Sequence, residues 1–207
     1  MKRLEKMREN TKKQNSGRKL YTGLLSHYAE KKRLQEIRKY VKGNVILDLG
    51  CGYGKMSTLF EKEDYYGVDI NLNALDKAKM DYGALKNTFF LTLDEFHQTS
   101  VLFDTIIMAA VIEHLPDPVP LLHSLKNRLK PDGIIILTTP TDVANNIHKI
   151  GSKIYLFSQG AAHEHVKIYS QQDLRILSQL INMEMISYKR FVLGLNQIAI
   201  FRMLTRN

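Results

Sequence analysis

The sequence predicts an α/β fold built on a doubly wound, mostly parallel sheet, and three observations carry that prediction. Short apolar runs rich in β-branched and aromatic residues recur between residues 45 and 137, amphipathic stretches fit between them, and the first run ends in an acid followed by glycines at alternate positions, Asp48-Leu49-Gly50-Cys51-Gly52-Tyr53-Gly54. Strands covered by helices on both faces read as continuous apolar runs rather than alternating ones, and a strand–helix alternation is what a parallel sheet requires.

Taken in order, residues 1 to 19 are polar and basic with few periodic apolar positions, the composition of a tail. Tyr21, Leu24, Leu25 and Tyr28, then Leu34, Ile37, Tyr40 and Val41, recur at helical spacing and predict two short amphipathic helices, the second ended by Gly43. The runs Val45-Ile46-Leu47, Tyr65-Tyr66-Gly67-Val68, Phe89-Phe90-Leu91, Thr105-Ile106-Ile107-Met108 and Ile134-Ile135-Ile136-Leu137 read as five buried strands, with helices expected over 55 to 62, 72 to 82, 95 to 99 and 119 to 130. Past Pro140 the alternation stops. Residues 141 to 168 form a long polar stretch containing histidines, expected to act as a substrate lid. Ser170 with Asp173 has the form of a capping box opening a helix over Gln171 to Asn182, followed by strands near 184 to 192 and 196 to 204, the last of them antiparallel in a seven-stranded sheet.

At 207 residues the chain has room for one full core, expected over 43 to 207, with 1 to 42 as a basic helical extension. Its single cysteine, Cys51, excludes an internal disulfide and a cysteine-rich zinc site. No apolar run approaches the roughly 20 residues that span a bilayer, and the start MKRLEKMRENTKKQ lacks the apolar segment of a secretory signal, so a cytoplasmic protein is expected, not an integral membrane one. The charge is lopsided: residues 1 to 42 carry 14 Lys and Arg against four Glu, a surplus of +10, and the remainder is close to neutral at −1. Such a segment is a solubilising tail, a surface for a phosphate-bearing acceptor or acidic membrane, or an RNA contact. Its few aromatics, Tyr21, Tyr28 and Tyr40, fit helix packing better than base stacking, which argues against nucleic acid.

The glycine loop is where the chemistry concentrates. Glycines at alternate positions after a strand let the backbone turn tightly and approach a ligand, with a helix N-terminus expected behind them. The spacing differs from the G-x-G-x-x-G of dinucleotide binding, and Asp48, two residues before the first glycine, would repel a pyrophosphate but suit an ammonium group. A second strand ends in Asp69, where a carboxylate can accept from two ribose hydroxyls. The stretch Val45-Ile46-Leu47-Asp48-Leu49-Gly50-Cys51-Gly52-Tyr53-Gly54 closely resembles the first motif of class I S-adenosylmethionine-dependent methyltransferases, and Tyr65 to Ile70, Leu93-Asp94-Glu95-Phe96, Phe103 to Pro116 and Leu129-Lys130-Pro131-Asp132-Gly133 are similar to that family's later motifs in order and spacing.

The resemblance implies a Rossmann-like fold and a cofactor, S-adenosylmethionine, leaving as S-adenosylhomocysteine. It implies that Asp48, Gly50, Cys51, Gly52 and Gly54 hold the methionine end together with backbone around Ala109, that Asp69 receives the ribose with Ile70 beside it in the cofactor site, and that Asp94 or Glu95, with Asp94 preferred, accepts from the adenine amine. Glu113 and His114 follow the fourth strand at the sheet's carboxyl edge, where open α/β folds place their sites. His163 or His165 in the expected lid is a candidate general base for the acceptor's proton. No metal is expected. The C-terminal stretch Phe191 to Gln197 resembles the small-molecule branch of the superfamily, including quinone and polysaccharide O-methylation, and implies a small hydroxyl acceptor, sugar-type or lipid-linked. An RNA methyltransferase and a catalytically silent cofactor-binding subunit are the alternatives.

Overall fold

The computed structural model describes residues 27–143 and 167–204. Helix α1 runs through 27–38. Strand β1 (Val45–Leu49) leads into a short 3-10 turn (Lys55–Leu59), then β2 (Asp64–Val68), α2 (Leu72–Tyr82), β3 (Thr88–Leu91), α3 (Leu93–Gln98), β4 (Phe103–Ala109), a second 3-10 turn (Ile112–His114), α4 (Val119–Lys126), β5 (Leu129–Pro140), α5 (Gln171–Leu180), β6 (Met183–Phe191) and β7 (Asn196–Met203). The seven strands form one sheet in the order β3-β2-β1-β4-β5-β7-β6. The first five are parallel to one another, and β7 is inserted antiparallel between β5 and β6. This is the Rossmann-like arrangement expected from the sequence.

Successive residues of a strand face opposite sides, so a doubly wound sheet needs two cores. Along β4, Ile106 and Met108 join Leu122, Leu125, Leu174 and Phe201 on one side, whereas Ile107 joins Ile46, Phe60, Leu75 and Ile136 on the other. Ile37 of α1 is fully buried in the second cluster, so this part of the basic extension is built into the core. Strand order reverses between β1 and β4, which leaves a crevice beyond their carboxyl ends.

Several elements differ from expectation. Tyr28 and Leu34, expected on separate helices, share the single helix α1, with no break between them. The expected helix over 55 to 62 is only the five-residue 3-10 turn: the Ser57 hydroxyl donates to the Gly54 carbonyl, and the charged run Glu61-Lys62-Glu63 offers no apolar stripe to continue it. The glycine loop therefore has no full helix, and no appreciable helix dipole, behind it. Helix α4 stops at Lys126 because Leu129 already pairs with Phe103 in the sheet. The stretch Leu129 to Gly133, which resembles the family's turn before the fifth strand, lies within β5 and holds a bulge, the register stepping from Phe103↔Leu129 to Thr105↔Ile134. The Asp104 carboxylate ties this corner together, accepting from the Asn44 and Val45 N–H groups at 2.9 Å each and from Lys130 Nζ at 2.8 Å. Burial opposes its charge, yet these donors hold its pKa below the usual range.

Candidate active site

The glycine loop sits at the reversal point, between the ends of β1 and β4. Gly50, Gly52 and Gly54 have φ of 82°, 52° and 74°, the left-handed region where any other residue is strained. Two of the three also have no room for a side chain. A Cβ on Gly50 would lie 2.5 Å from Val111 Cγ2, and one on Gly54 would lie 2.7 Å from Ala78 Cβ and from the Phe90 ring. Gly52 instead faces open space, with no described atom within 4 Å of a Cβ built there. The loop is thus packed from below at its two ends and bare at its centre, the shape of a cradle for a ligand.

Asp48 closes β1. Its side chain is 1% exposed, and the Tyr65 hydroxyl donates to Oδ2 at 2.6 Å, while Oδ1 is buried with no hydrogen-bond partner. Burial pushes the carboxyl up to about 7; the Tyr65 hydrogen bond pulls it down and the nearby Asp69 charge adds to the rise. A buried carboxylate with one unsatisfied oxygen is costly unless a donor arrives, and a cationic ammonium is the donor that would also relieve the charge. Asp69, at the end of β2, accepts from the Gly52 N–H at 2.7 Å and from the Asn71 N–H at 2.8 Å, which locks the loop's centre to the carboxylate. Next to it Ile70 is 82% exposed, an apolar surface beside the polar crevice. Cys51 is buried, and burial together with Asp48 and Asp69 raises its thiol far above neutrality, so it packs as a small neutral group.

Of the two acids at the start of α3, Glu95 is occupied in a capping box: its carboxylate accepts from the Thr92 N–H at 2.7 Å while its own N–H donates to Thr92 Oγ1 at 3.2 Å. Asp94 is exposed in the same first turn. At the end of β4, Ala110 has φ 59° and its N–H donates to the Thr138 carbonyl at 2.8 Å, so the chain leaves the sheet by a left-handed step that presses Val111 onto Gly50.

A second polar group, near the ends of β4 and β5, is assembled from distant parts of the chain. Glu113 is buried and His114 exposed in the 3-10 turn after β4. The Arg33 guanidinium, from α1, reaches Asn196 Oδ1 at 3.3 Å; its Nε is buried without a hydrogen-bond partner. Burial disfavours the Arg33 charge, and the carboxylates of Glu113 and Glu30 favour it. Gln197 Nε2 donates to the carbonyls of Pro140 at 3.1 Å and Tyr169 at 2.5 Å, and its Oε1 accepts from the Tyr188 hydroxyl at 2.9 Å. The hydroxyls of Thr138 and Thr139 at the end of β5 are buried with no partner. Sequence reasoning missed Tyr65, Arg33 and Gln197. A signal existed for Arg33, which lies one helical turn before the fully buried Ile37 and so on the same inward face. His163 and His165 lie outside the described residues, as does most of the expected lid.

Comparison with known proteins places this geometry in context. A family model described as a methyltransferase domain matches residues 21–188. The chain is 29% identical over 126 residues to the ubiquinone biosynthesis O-methyltransferase of Histophilus somni (strain 2336), across 55% of this chain and 53% of that protein. It spans about half the length of the curated relatives it matches. Among solved structures, the plantazolicin methyltransferase BpumL in complex with S-adenosylhomocysteine superposes with a TM-score of 0.65 at 15% identity, covering 94% of this chain and 91% of that one. The magnesium protoporphyrin IX methyltransferase of Synechocystis PCC 6803, also with bound S-adenosylhomocysteine, gives 0.61 at 16% identity, covering 91% and 84%. At such identities the likeness is one of fold.

Proposed function

The chain belongs to the class I S-adenosylmethionine-dependent methyltransferases, and we propose that it transfers the methyl group to a hydroxyl of a small acceptor, sugar-type or lipid-linked. The observation that carries the hydroxyl is the match to relatives named as O-methyltransferases of ubiquinone biosynthesis. When bound, the cofactor would supply an electrophilic methyl carbon on a sulfonium, open to in-line bonding by the acceptor oxygen as the carbon–sulfur bond breaks and S-adenosylhomocysteine leaves.

The residues supply position. In this reading Asp48 Oδ1 takes the methionine ammonium, the bare centre of the loop at Gly52 lets the backbone approach the ligand, and Asp69 receives the ribose hydroxyls with lone pairs that remain beyond its two backbone donors. Ile70 packs the adenine ring and Asp94 accepts from its amine, since the Glu95 carboxylate already caps α3. Backbone at Ala109 lines the methionine end. Alignment of acceptor, methyl and sulfur accounts for much of the rate in such a displacement, so a strong base is not obligatory. The acceptor's proton passes to His163 or His165, with Glu113 and His114 flanking from the sheet edge. Turnover unchanged in both single alanine variants of these histidines, at saturating acceptor, would end that assignment.

Arg33 gives the half read as acceptor-facing a half-buried positive group, which supports an acceptor bearing phosphate or another acidic group. Among the described residues no helix is long and apolar enough to cross a membrane. Radiolabelled methyl transferred from S-adenosylmethionine into a fractionated host extract tests the proposal. Label in the lipid, polysaccharide or small-molecule fraction supports it; label confined to RNA or protein refutes the small acceptor.

A further inference from the structure

Tyr65 is an odd residue for its place. It sits on β2, one strand in from the sheet's edge, fully buried, in an apolar cluster with Ile46, Phe60, Leu75, Phe90 and Ile107. Its ring is clamped: Phe60 stacks on it at 5.5 Å between centroids and 21° between planes, and Phe90 meets it edge-on at 6.0 Å and 71°. Phe60 is in turn covered by the Arg38 guanidinium at 5.3 Å from its centroid. A phenol held this way cannot swing, so its hydroxyl has one direction available, toward Asp48 Oδ2 at 2.6 Å. Burying a tyrosine hydroxyl in an aliphatic core needs a partner, and the partner here is the same carboxylate whose second oxygen is buried and unsatisfied.

Resting on the reading of Asp48 as the ammonium partner, we propose that Tyr65 is a positioning residue of the cofactor site: its clamped hydroxyl occupies one oxygen of Asp48 and orients the other, as the charged edge, toward the methionine ammonium. The rigid donor orients the carboxylate before the ligand arrives, which lowers the ordering cost of binding. It also works against the environment. Burial and the Asp69 carboxylate favour the protonated form of Asp48, and Tyr65 is the group that opposes them, while the Cys51 thiol in the loop stays neutral. An ammonium arriving at Asp48 displaces the proton still held there to solvent, so cofactor binding is linked to pH.

Calorimetric titration of the full chain with two ligands isolates this role: S-adenosylhomocysteine carries the ammonium, and methylthioadenosine lacks the whole amino-acid part. In the wild type, affinity for the first falls toward acid through about pH 7, approaching tenfold per pH unit, while affinity for the second stays flat. Tyr65→Phe lowers affinity for S-adenosylhomocysteine about tenfold near neutrality, moves its acid fall to higher pH, and leaves methylthioadenosine within about twofold. A merely structural loss would weaken both ligands alike. The same ratio of affinities and the same pH profile in Tyr65→Phe and wild type overturn the proposal. Asp48→Asn separates the two layers of the argument: if it loses the preference for the amino-acid ligand while Tyr65→Phe keeps it, the Tyr65 role alone fails, and if Asp48→Asn also keeps it, the ammonium assignment of Asp48 fails. Should Tyr65→Phe not fold, Phe60→Leu, which loosens the clamp but keeps the hydroxyl, is expected to lower the ratio about two- to threefold, and an unchanged ratio there overturns the proposal.

Discussion

The two halves of the crevice are built in opposite ways. In the proposed reading the cofactor half draws its loop and ribose-facing groups from one contiguous stretch, Asp48 to Asn71, a strand end, a glycine loop, a short turn and the next strand end, with Asp94 and the Ala109 backbone added from farther along. The acceptor half draws Arg33 from α1, Glu113 from the turn after β4, Pro140 from β5, Tyr169 from the segment before α5, and Gln197 from β7, with up to 164 positions separating its members. The first half is acidic and glycine-lined; the second centres on a half-buried guanidinium and a buried amide. In that reading, locally encoded geometry carries what every turnover needs, while chain-wide packing carries what varies with the acceptor.

If the halves are separable, substitutions in one should leave the other's ligand alone. The largest effect is expected at Gly54, where a side chain must be accommodated at φ 74° against Ala78 and Phe90. Gly54→Ala should cost about 2–4 kcal/mol in a denaturant melt and abolish measurable S-adenosylhomocysteine binding. Gln197→Leu comes next. It strips the donor from two backbone carbonyls and the acceptor from the Tyr188 hydroxyl, so about 1–3 kcal/mol of stability should go while affinity for S-adenosylhomocysteine stays within about twofold. A matching loss of cofactor affinity would break the comparison.

A pH effect also belongs to the cofactor half. Because the folded pKa of Asp48 is raised to about 7, its folded state holds a proton that the unfolded chain releases near the ordinary carboxylate value. This group's contribution to stability is therefore fully present below the unfolded value and lost as pH rises through about 7. Melting temperatures of the ligand-free protein should show that loss between mildly acidic and mildly alkaline pH, and Asp48→Asn should flatten it. At Arg33 the effect is expected on the acceptor rather than the cofactor. Arg33→Met should slow labelling of an acidic acceptor about tenfold at limiting acceptor concentration while affinity for S-adenosylhomocysteine stays within about twofold.

The same division explains what the sequence disclosed. The Rossmann-like sheet was legible because its five parallel strands are short apolar runs with no competing periodicity, and the capping box at Ser170 and Asp173 was legible because its residues are neighbours. The acid–glycine loop was legible for the same local reason. What escaped notice needed contacts across the fold. Tyr65 looked like one more strand aromatic until Asp48 stood beside it, and Gln197 like an ordinary polar residue in a terminal strand. Arg33 was hidden among the lysines and arginines of a basic segment whose charge suggests solvent, although its spacing from Ile37 put it on the inward face. The helix expected after the glycine loop failed to extend because Ser57 turns back on Gly54, a side-chain competition that periodicity does not register.

The central claim is that the stretch from Asp48 to Asn71 is the S-adenosylmethionine site, and Asp69 tests it most directly because its carboxylate both holds the loop at Gly52 and faces the ribose in this account. Calorimetric titration of S-adenosylhomocysteine into the wild type and Asp69→Ala, with thermal melts to verify folding, should show affinity weakened by about 1–3 kcal/mol. Equal affinities in two folded proteins would contradict it.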